Sequence, residues 1–387
     1  MPSQKTNDSP PQALSRANWR QRPQSRWAFR HVDALLPCGA TIANDPAGVR
    51  ELPIRNDAPT DAILRRVLLP LTSTDGFVVL ARGEIVCEHH ANGNGPDTRH
   101  ILMSAAKSFV GLLAELLQRE GQLDLDLPVA DIVPELGPTP WATATLRSLI
   151  DMRCQVRLDP GQQRAYEMAS NWEAAPPAEG SGLHDFFAGM RGESAGGDGP
   201  FAYVSANIDL AGWVIERATG QSLVGLLSER IWKPMGAQHP ALMTLDAAGA
   251  PRCTGGLCAT TRDLARLGQW LLDADQDGAA AGGLTRALVD DLCTQGDRSA
   301  WTTGEWGAAF SPISRNMSYR SGWYALHDAP QTLFAMGIHG QNLFIDRANR
   351  VVVAKTSSWA APTVNLALWL THAQVLPRAR RLAARSQ

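Results

Sequence analysis

The sequence predicts an α+β protein: an antiparallel sheet assembled from both ends of the chain and flanked by helices, with an all-α part inserted between. Three observations carry this. The runs Phe77-Val-Val-Leu-Ala81 and Glu84-Ile-Val-Cys-Glu-His89 surround the turn residues Arg82-Gly83, the pattern of a β-hairpin. Comparable strand runs return near the other end, over Thr332–Gly340, Gln341–Asp346 and Val351–Thr356. From Leu123 to about Arg230 the apolar residues recur mainly at helical spacing. An order of strands, helices and strands packs as a sheet with a helical unit beside it, and the cleft between them is where a site is expected. The chain then divides into an N-terminal tail over 1–30, a sheet domain from 31–103 and 250–387, and a mainly helical domain over 104–249.

Taken in order, residues 1–30 are rich in Gln, Ser, Arg and Pro, with Trp19, Trp27 and Phe29 as their aromatic groups, and read as a tail partly disordered or draped over the body. After Met103 an amphipathic helix begins. Phe109, Leu112, Leu113, Leu116 and Leu117 recur at spacings of three and four, and Gly121 is its C-terminal stop. Short helices are expected over Val129–Leu136 and Thr145–Met152. Residues 157–200, with Pro176-Pro177 and a Gly-rich run from Gly192 to Gly199, read as a long irregular region that lines a site or is disordered. Asn207–Gly220 and Ser222–Trp232 read as helices. A short strand after Thr254 leads to a helix from Asp263 that Thr260 or Thr261 can cap, and Pro377 should bend or break a terminal helix over 363–386.

Composition narrows the function. The chain has 387 residues, 44% of them hydrophobic, enough for one large or two intimate domains. A net charge of −2 offers no general attraction for nucleic acid or an anionic membrane, and no run of eighteen apolar residues is present. The six cysteines show neither C-x-x-C pairs nor zinc spacing, so they read as buried thiols, and no metal or cofactor is expected. The N-terminal residues lack the apolar stretch of a secretory signal, and a cytoplasmic location is the expectation.

The chemistry gathers in three places. Ser104-Ala-Ala-Lys107 sets a hydroxyl and an amine three residues apart at a helix start, one turn apart on one face. First-turn N–H groups lack intrahelical partners and can stabilise negative charge. The chain has 36 Lys+Arg but lysine only at 5, 107, 233 and 355, so position 107 kept a group that burial can turn into a base. Read alone, the pair equally describes a helix start with a snorkelling lysine. Tyr203, in Tyr203-Val-Ser205-Ala-Asn207, is one of four tyrosines; beside an ammonium its phenol can be drawn toward phenolate and handle a proton, or it can simply pack in the core. Gly337-Ile338-His339-Gly340 ends a strand whose glycine permits close approach of substrate and whose backbone N–H could complete an oxyanion hole. No G-x-S-x-G surrounds a serine and no Asp is evidently paired with His339, which reads as supporting the pocket.

Together these segments resemble the serine β-lactamase and penicillin-binding-protein superfamily, and within it the class C-related esterase branch and the 6-aminohexanoate-dimer (nylon-oligomer) hydrolases. The resemblance spans about residues 75–360. It implies a β-lactamase-like fold and a cofactor-free serine hydrolase acting through an acyl-enzyme on carboxylic esters, and on small linear amides as a further class. Ser104 is then the nucleophile, Lys107 and Tyr203 the proton-handling pair, and the N–H groups of Ser104 and Ile338 the oxyanion hole. Ser205, Asn207, Trp323, Gly337 and His339 are expected along the substrate. A tyrosine in the loop after the first helices falls at Gln162 by an ungapped count, with Tyr166 four residues on as the other candidate. Ser205 stands where the β-lactamase motif ends in Asn, and Ala335-Met336-Gly337 lacks the lysine of Lys-Thr-Gly. Both departures weaken the antibiotic-hydrolysis reading and are compatible with the esterase branch; β-lactamase or D-amino-acid peptidase activity is the alternative enzyme reading, and a catalytically silent binding or regulatory relative the alternative of another class. The partner expected is a small-molecule substrate, with a homodimer as a further expectation.

Overall fold

The computed structural model describes residues 9–36, 39–173, 182–274 and 281–386. Its strands are β1 (Gly39–Ile42), β2 (Thr74–Ala81), β3 (Glu84–His90), β4 (Arg99–Ile101), β5 (Ala241–Thr244), β6 (Leu257–Thr260), β7 (Met317–Arg320), β8 (Trp323–Leu326), β9 (Thr332–Gly337), β10 (Gln341–Asp346) and β11 (Val351–Ser357). The large sheet runs β3-β2-β11-β10-β9-β8-β7, antiparallel throughout. The expected hairpin forms its first edge, and the junction of the two chain ends is β2 on β11, with Val351 opposite Ala81. A small sheet, β1-β5-β6-β4, lies apart from it.

Every residue of β2, β10 and β11 is buried, the signature of a sheet covered on both faces. Four helices frame the sheet and the cleft: α1 (Ala106–Arg119), α2 (Ala206–Thr219), α3 (Thr261–Asp273) and α4 (Leu376–Arg385). α3 packs across β2, β10 and β11, and α4 packs on β2, β3 and β11. Thr260 is the residue that caps α3, its side chain accepting from the Asp263 N–H. The terminal helix is interrupted as proline requires: Asn365–Leu370 passes through a wide π turn at Thr371–Val375, and Pro377 sits in the first turn of α4, where its missing N–H leaves no bond unmade.

One expectation is corrected. The irregular region after Arg157 contains helices Pro160–Ala169 and Leu183–Gly189. The first opens on a capping box, Asp159 receiving the Gln162 N–H while the Gln162 side chain accepts from the Asp159 N–H, and Pro160 stands at its first position. Pro176-Pro177 lies outside the described residues. The N-terminal segment, from residue 9 onward, is draped over the body, with Trp19 and Phe29 fully buried against Ile101, Met103 and Trp172; residues 1–8 lie outside the described residues. Strands β7 and β8 fill a segment that showed no strand signal. Cys87, Cys154, Cys253, Cys258 and Cys293 are free, buried thiols, and Cys38 lies outside the described residues. Among the described residues no helix is long and apolar enough to cross a membrane.

The helical part is pressed against the large sheet at the β7–β8 turn. α1 passes so close to the β7–β8 turn that a Cβ at Gly111 would lie 1.8 Å from the Ser321 carbonyl oxygen. A Cβ at Gly322, whose φ is +80°, would lie 2.4 Å from the Lys107 carbonyl oxygen. The Ser108 hydroxyl donates to the Gly322 carbonyl at 2.6 Å, and the Trp323 indole N–H donates to the Ser108 carbonyl at 3.0 Å. Gly111→Ala should therefore lower the unfolding free energy by about 3 kcal/mol through overpacking. The measurement is a urea titration, in which the midpoint falls with the slope unchanged; a midpoint equal to wild type would contradict the contact.

Candidate active site

β4 ends at Ile101, and the chain turns sharply into α1 through Met103–Ala105. Met103 is held at φ +48°, a left-handed conformation that a non-glycine residue adopts only where its surroundings enforce it. Here the surroundings are the Met103 side chain, buried with Trp19, Phe29 and Trp172, and the Leu102 N–H bonded to the Leu257 carbonyl at 2.8 Å. The turn leaves Ser104 partly exposed at the head of α1.

One turn on, Lys107 is buried. Its Nζ lies 2.9 Å from Ser104 Oγ and donates to the Thr254 carbonyl at 2.9 Å, with the Tyr203 ring centroid 5.0 Å away. Burial is the main force on this amine and lowers its pKa from 10.5 to about 7; Asp209 pulls it back up and Arg252 pushes it further down. A neutral Lys107 can donate to Thr254 and still offer its lone pair to the Ser104 proton.

Tyr203 completes the group. Its hydroxyl faces Ser104 and the Tyr324 hydroxyl. Burial holds the phenol well above its ordinary pKa, although hydrogen bonds with these two hydroxyls lower it. Burial therefore opposes a resting phenolate, and the phenol is placed to relay a proton. Trp306 stacks on Tyr203 at 4.2 Å, and Glu305 accepts the Tyr203 N–H at 3.1 Å, so the 304–310 segment fixes the ring.

The third wall is the end of β9. A Cβ at Gly337 would lie 2.5 Å from the Leu102 carbonyl oxygen and 3.0 Å from the Ser104 nitrogen, so only glycine lets β9 pass this close to the nucleophile turn. The next residue is Ile338. Ser104, Tyr203, Gly337 and Ile338 all line one cavity of about 390 Å³. Its remaining wall is mostly apolar and aromatic, including Trp306, Phe310, Tyr324, Met336 and Trp359, with Thr363 and Asn365 as uncharged polar members, and no Asp, Glu, Lys or Arg lines it among the described residues.

Six expected substrate contacts are placed elsewhere. Trp323 is fully buried beneath α1, because neighbours on a strand face opposite ways, and Tyr324 faces the cavity instead. His339, at φ +62°, points its ring at Phe29 and bonds the Trp359 carbonyl through Nδ1 at 2.9 Å; burial depresses its pKa to about 4. It shapes the strap beside Ile338 without lining the cavity. Asn207 is buried, with Oδ1 accepting from the Trp141 indole at 3.0 Å. Ser205 precedes α2 as its N-cap and is not part of the cavity wall. Gln162 is occupied in the capping box. Tyr166 is fully buried and donates to Asp209.

Sequence reasoning missed Tyr324, Trp306, Phe310 and Trp359. It also missed Asp209 and Arg252, for which the available signal was a charged residue on the apolar face of a helix and an arginine among buried residues.

Comparison with known proteins agrees with this geometry. The Beta-lactamase family model matches residues 72–376. A 6-aminohexanoate-dimer hydrolase of Paenarthrobacter ureafaciens is 33% identical over 354 residues, covering 89% of this chain and 88% of that protein. A Bacillus anthracis structure described as a candidate 6-aminohexanoate-dimer hydrolase has a TM-score of 0.81 and 26% identity, over 97% of this chain and 99% of that chain. The fold is also that of EstCE1, a hydrolase with promiscuous acyltransferase activity, at a TM-score of 0.60 and 17% identity over 83% of this chain and 96% of that chain.

The Lys107 amine predicts a pH dependence. The neutral form, present above its pKa of about 7, is the one able to take the Ser104 proton, and it is lost as pH falls. Labelling of Ser104 by a fluorophosphonate should therefore drop about tenfold for each pH unit below that value. A labelling rate flat between pH 5 and 8 would remove Lys107 from the role of base.

Proposed function

The chain belongs to the Beta-lactamase family and is a serine hydrolase, and on that footing we propose that it cleaves neutral carboxylic esters with apolar acyl groups through an acyl-enzyme on Ser104. The observation that carries this is the cavity: a mostly aromatic, apolar chamber opening directly on Ser104, without a charged side chain among the described residues. Such a wall favours a neutral, apolar acyl group and offers an ionic one no counter-charge.

In this reading Lys107 takes the Ser104 proton as Oγ attacks the carbonyl carbon. The oxyanion is held by the N–H groups of Ser104 and Ile338, which the close pass of Gly337 brings together. As the C–O bond breaks, the leaving alkoxide takes the Tyr203 proton, and Tyr203 is reprotonated from the Lys107 ammonium. Water then attacks the acyl-enzyme, giving its proton to Lys107, and Ser104 leaves as the hydroxyl.

A second reading, cleavage of small linear amides, is favoured by the relative named 6-aminohexanoate-dimer hydrolase. It uses the same Ser104 chemistry with a poorer leaving group. Ala335 stands where the Lys-Thr-Gly motif has the lysine that meets a β-lactam carboxylate, so β-lactam hydrolysis is not part of the proposal.

The test is turnover of p-nitrophenyl butyrate beside the linear 6-aminohexanoate dimer. Ser104→Ala should reduce ester hydrolysis at least about a thousandfold, and wild type should show the higher kcat/KM for the ester. Undiminished turnover by Ser104→Ala would sink the nucleophile assignment; a higher kcat/KM for the dimer would put the amide reading first.

A further inference from the structure

Beneath Lys107 lies a buried ionic network that takes no direct part in the acyl-transfer steps. The Thr254 carbonyl, which accepts from Lys107 Nζ at 2.9 Å, belongs to a residue whose own N–H donates to Asp209 Oδ1 at 2.8 Å. The other Asp209 oxygen accepts from Arg252 Nη1 and from the Tyr166 hydroxyl. The Arg252 guanidinium lies 4.4 Å from the Tyr166 ring centroid and 4.9 Å from that of Trp172, and its Nη2 is 3.3 Å from Glu167 Oε1. The side chains of Asp209 and Arg252 are 0% and 2% exposed, whereas Glu167 is 17% exposed.

Burying such charges is costly, and a buried ion pair is weak evidence for stability. What this network does have is direction. α2 supplies Asp209, the 250–256 segment supplies Arg252 and the Thr254 carbonyl, and the Pro160–Ala169 helix supplies Glu167 and Tyr166. Asp209 and Glu167 favour the Lys107 ammonium, and Arg252 disfavours it. The Tyr203 phenol stays neutral on the cavity side. The cluster of Glu115, Arg147, Asp151 and Arg320 is built around the far half of α1 and is not among the charges acting on Lys107.

We propose that Asp209 is a positioning residue for the hydrolytic reaction: its carboxylate orients the Thr254 peptide that holds Lys107, and its charge, offset by Arg252, sets the pH at which the amine becomes free to act. The inference rests on Lys107 being the base. It makes the two members of one ion pair act in opposite senses on catalysis, which a purely structural pair does not do. Removing Asp209 removes a charge that holds the proton on Lys107, so the neutral amine persists to lower pH. Removing Arg252 removes a charge that expels that proton, so the amine stays protonated to higher pH.

The experiment is the pH profile of kcat/KM for p-nitrophenyl butyrate. Asp209→Asn should move the midpoint of the acidic limb down by about one pH unit, and Arg252→Gln should move it up by a similar amount. Glu167→Gln, at the partly exposed edge, should move it down by about a few tenths of a unit and decides the matter if either buried variant fails to fold. Midpoints unchanged in the variants that fold, or displaced in the same sense by Asp209→Asn and Arg252→Gln, would overturn the proposal. Lys107→Met separates the two levels. Normal turnover in that variant removes the base assignment itself, and an inactive Lys107→Met beside unmoved midpoints removes only the role of Asp209.

Discussion

The site depends on one buried amine. Lysine is scarce in this chain, with arginine taking nearly every other cationic position, yet two of its four lysines, Lys107 and Lys355, are buried and held near a pKa of 7 by desolvation. Arginine in either place would remain charged in an apolar setting, because a guanidinium does not release its proton in a protein. An amine can. At Lys107 that release coincides with a serine hydroxyl 2.9 Å away, so desolvation of a cation becomes the source of a base. At Lys355 the same burial places the amine against Ser357 and the Gly340 carbonyl, 5.5 Å from the Trp359 ring centroid.

Keeping Lys107 dry requires tight contact on every side. α1 is pressed against the β7–β8 turn at Gly111 and Gly322, with the Ser108 and Trp323 hydrogen bonds closing the seam. Gly337 brings β9 against the opposite side of the nucleophile turn. Three glycines, each where a methyl group would collide with backbone, thus join the helical part to the large sheet around one side chain. The cleft between the two is where Ser104 looks out, and its remaining wall is built from aromatic residues of the 304–324 region and from the strap after β11.

The parts of this arrangement legible in the sequence are those encoded locally. The three-residue spacing of Ser104 and Lys107, the strand-ending glycine at 337 and the hairpin at 77–89 each depend on near neighbours. The misplaced residues fail for definable reasons. On a strand, a shift of one residue exchanges faces, which is why Trp323 went to the seam and Tyr324 to the cavity. Tyr166 sits on a helix whose start was written in Asp159-Pro160-Gly161-Gln162, and once that helix forms, its ring faces Asp209. Asp209 and Arg252 are 43 residues apart and meet only in the packed structure, so neither announces its partner in sequence.

The N-terminal segment has a meaning that its composition hides. Phe29 accepts the Ile101 N–H through its carbonyl, and with Trp19 it packs against Met103, the residue whose left-handed backbone lifts Ser104 into the cleft. Phe29 also meets the His339 ring at 5.0 Å, on the strap that carries Ile338. One stretch of chain, remote in sequence from every group that handles a proton, therefore braces both the nucleophile turn and the strap opposite it. The stretch from Trp19 to Phe29 acts as a keystone. Sequence drift there would alter the reactivity of a serine some seventy-five positions downstream while leaving the residues at the reaction centre untouched.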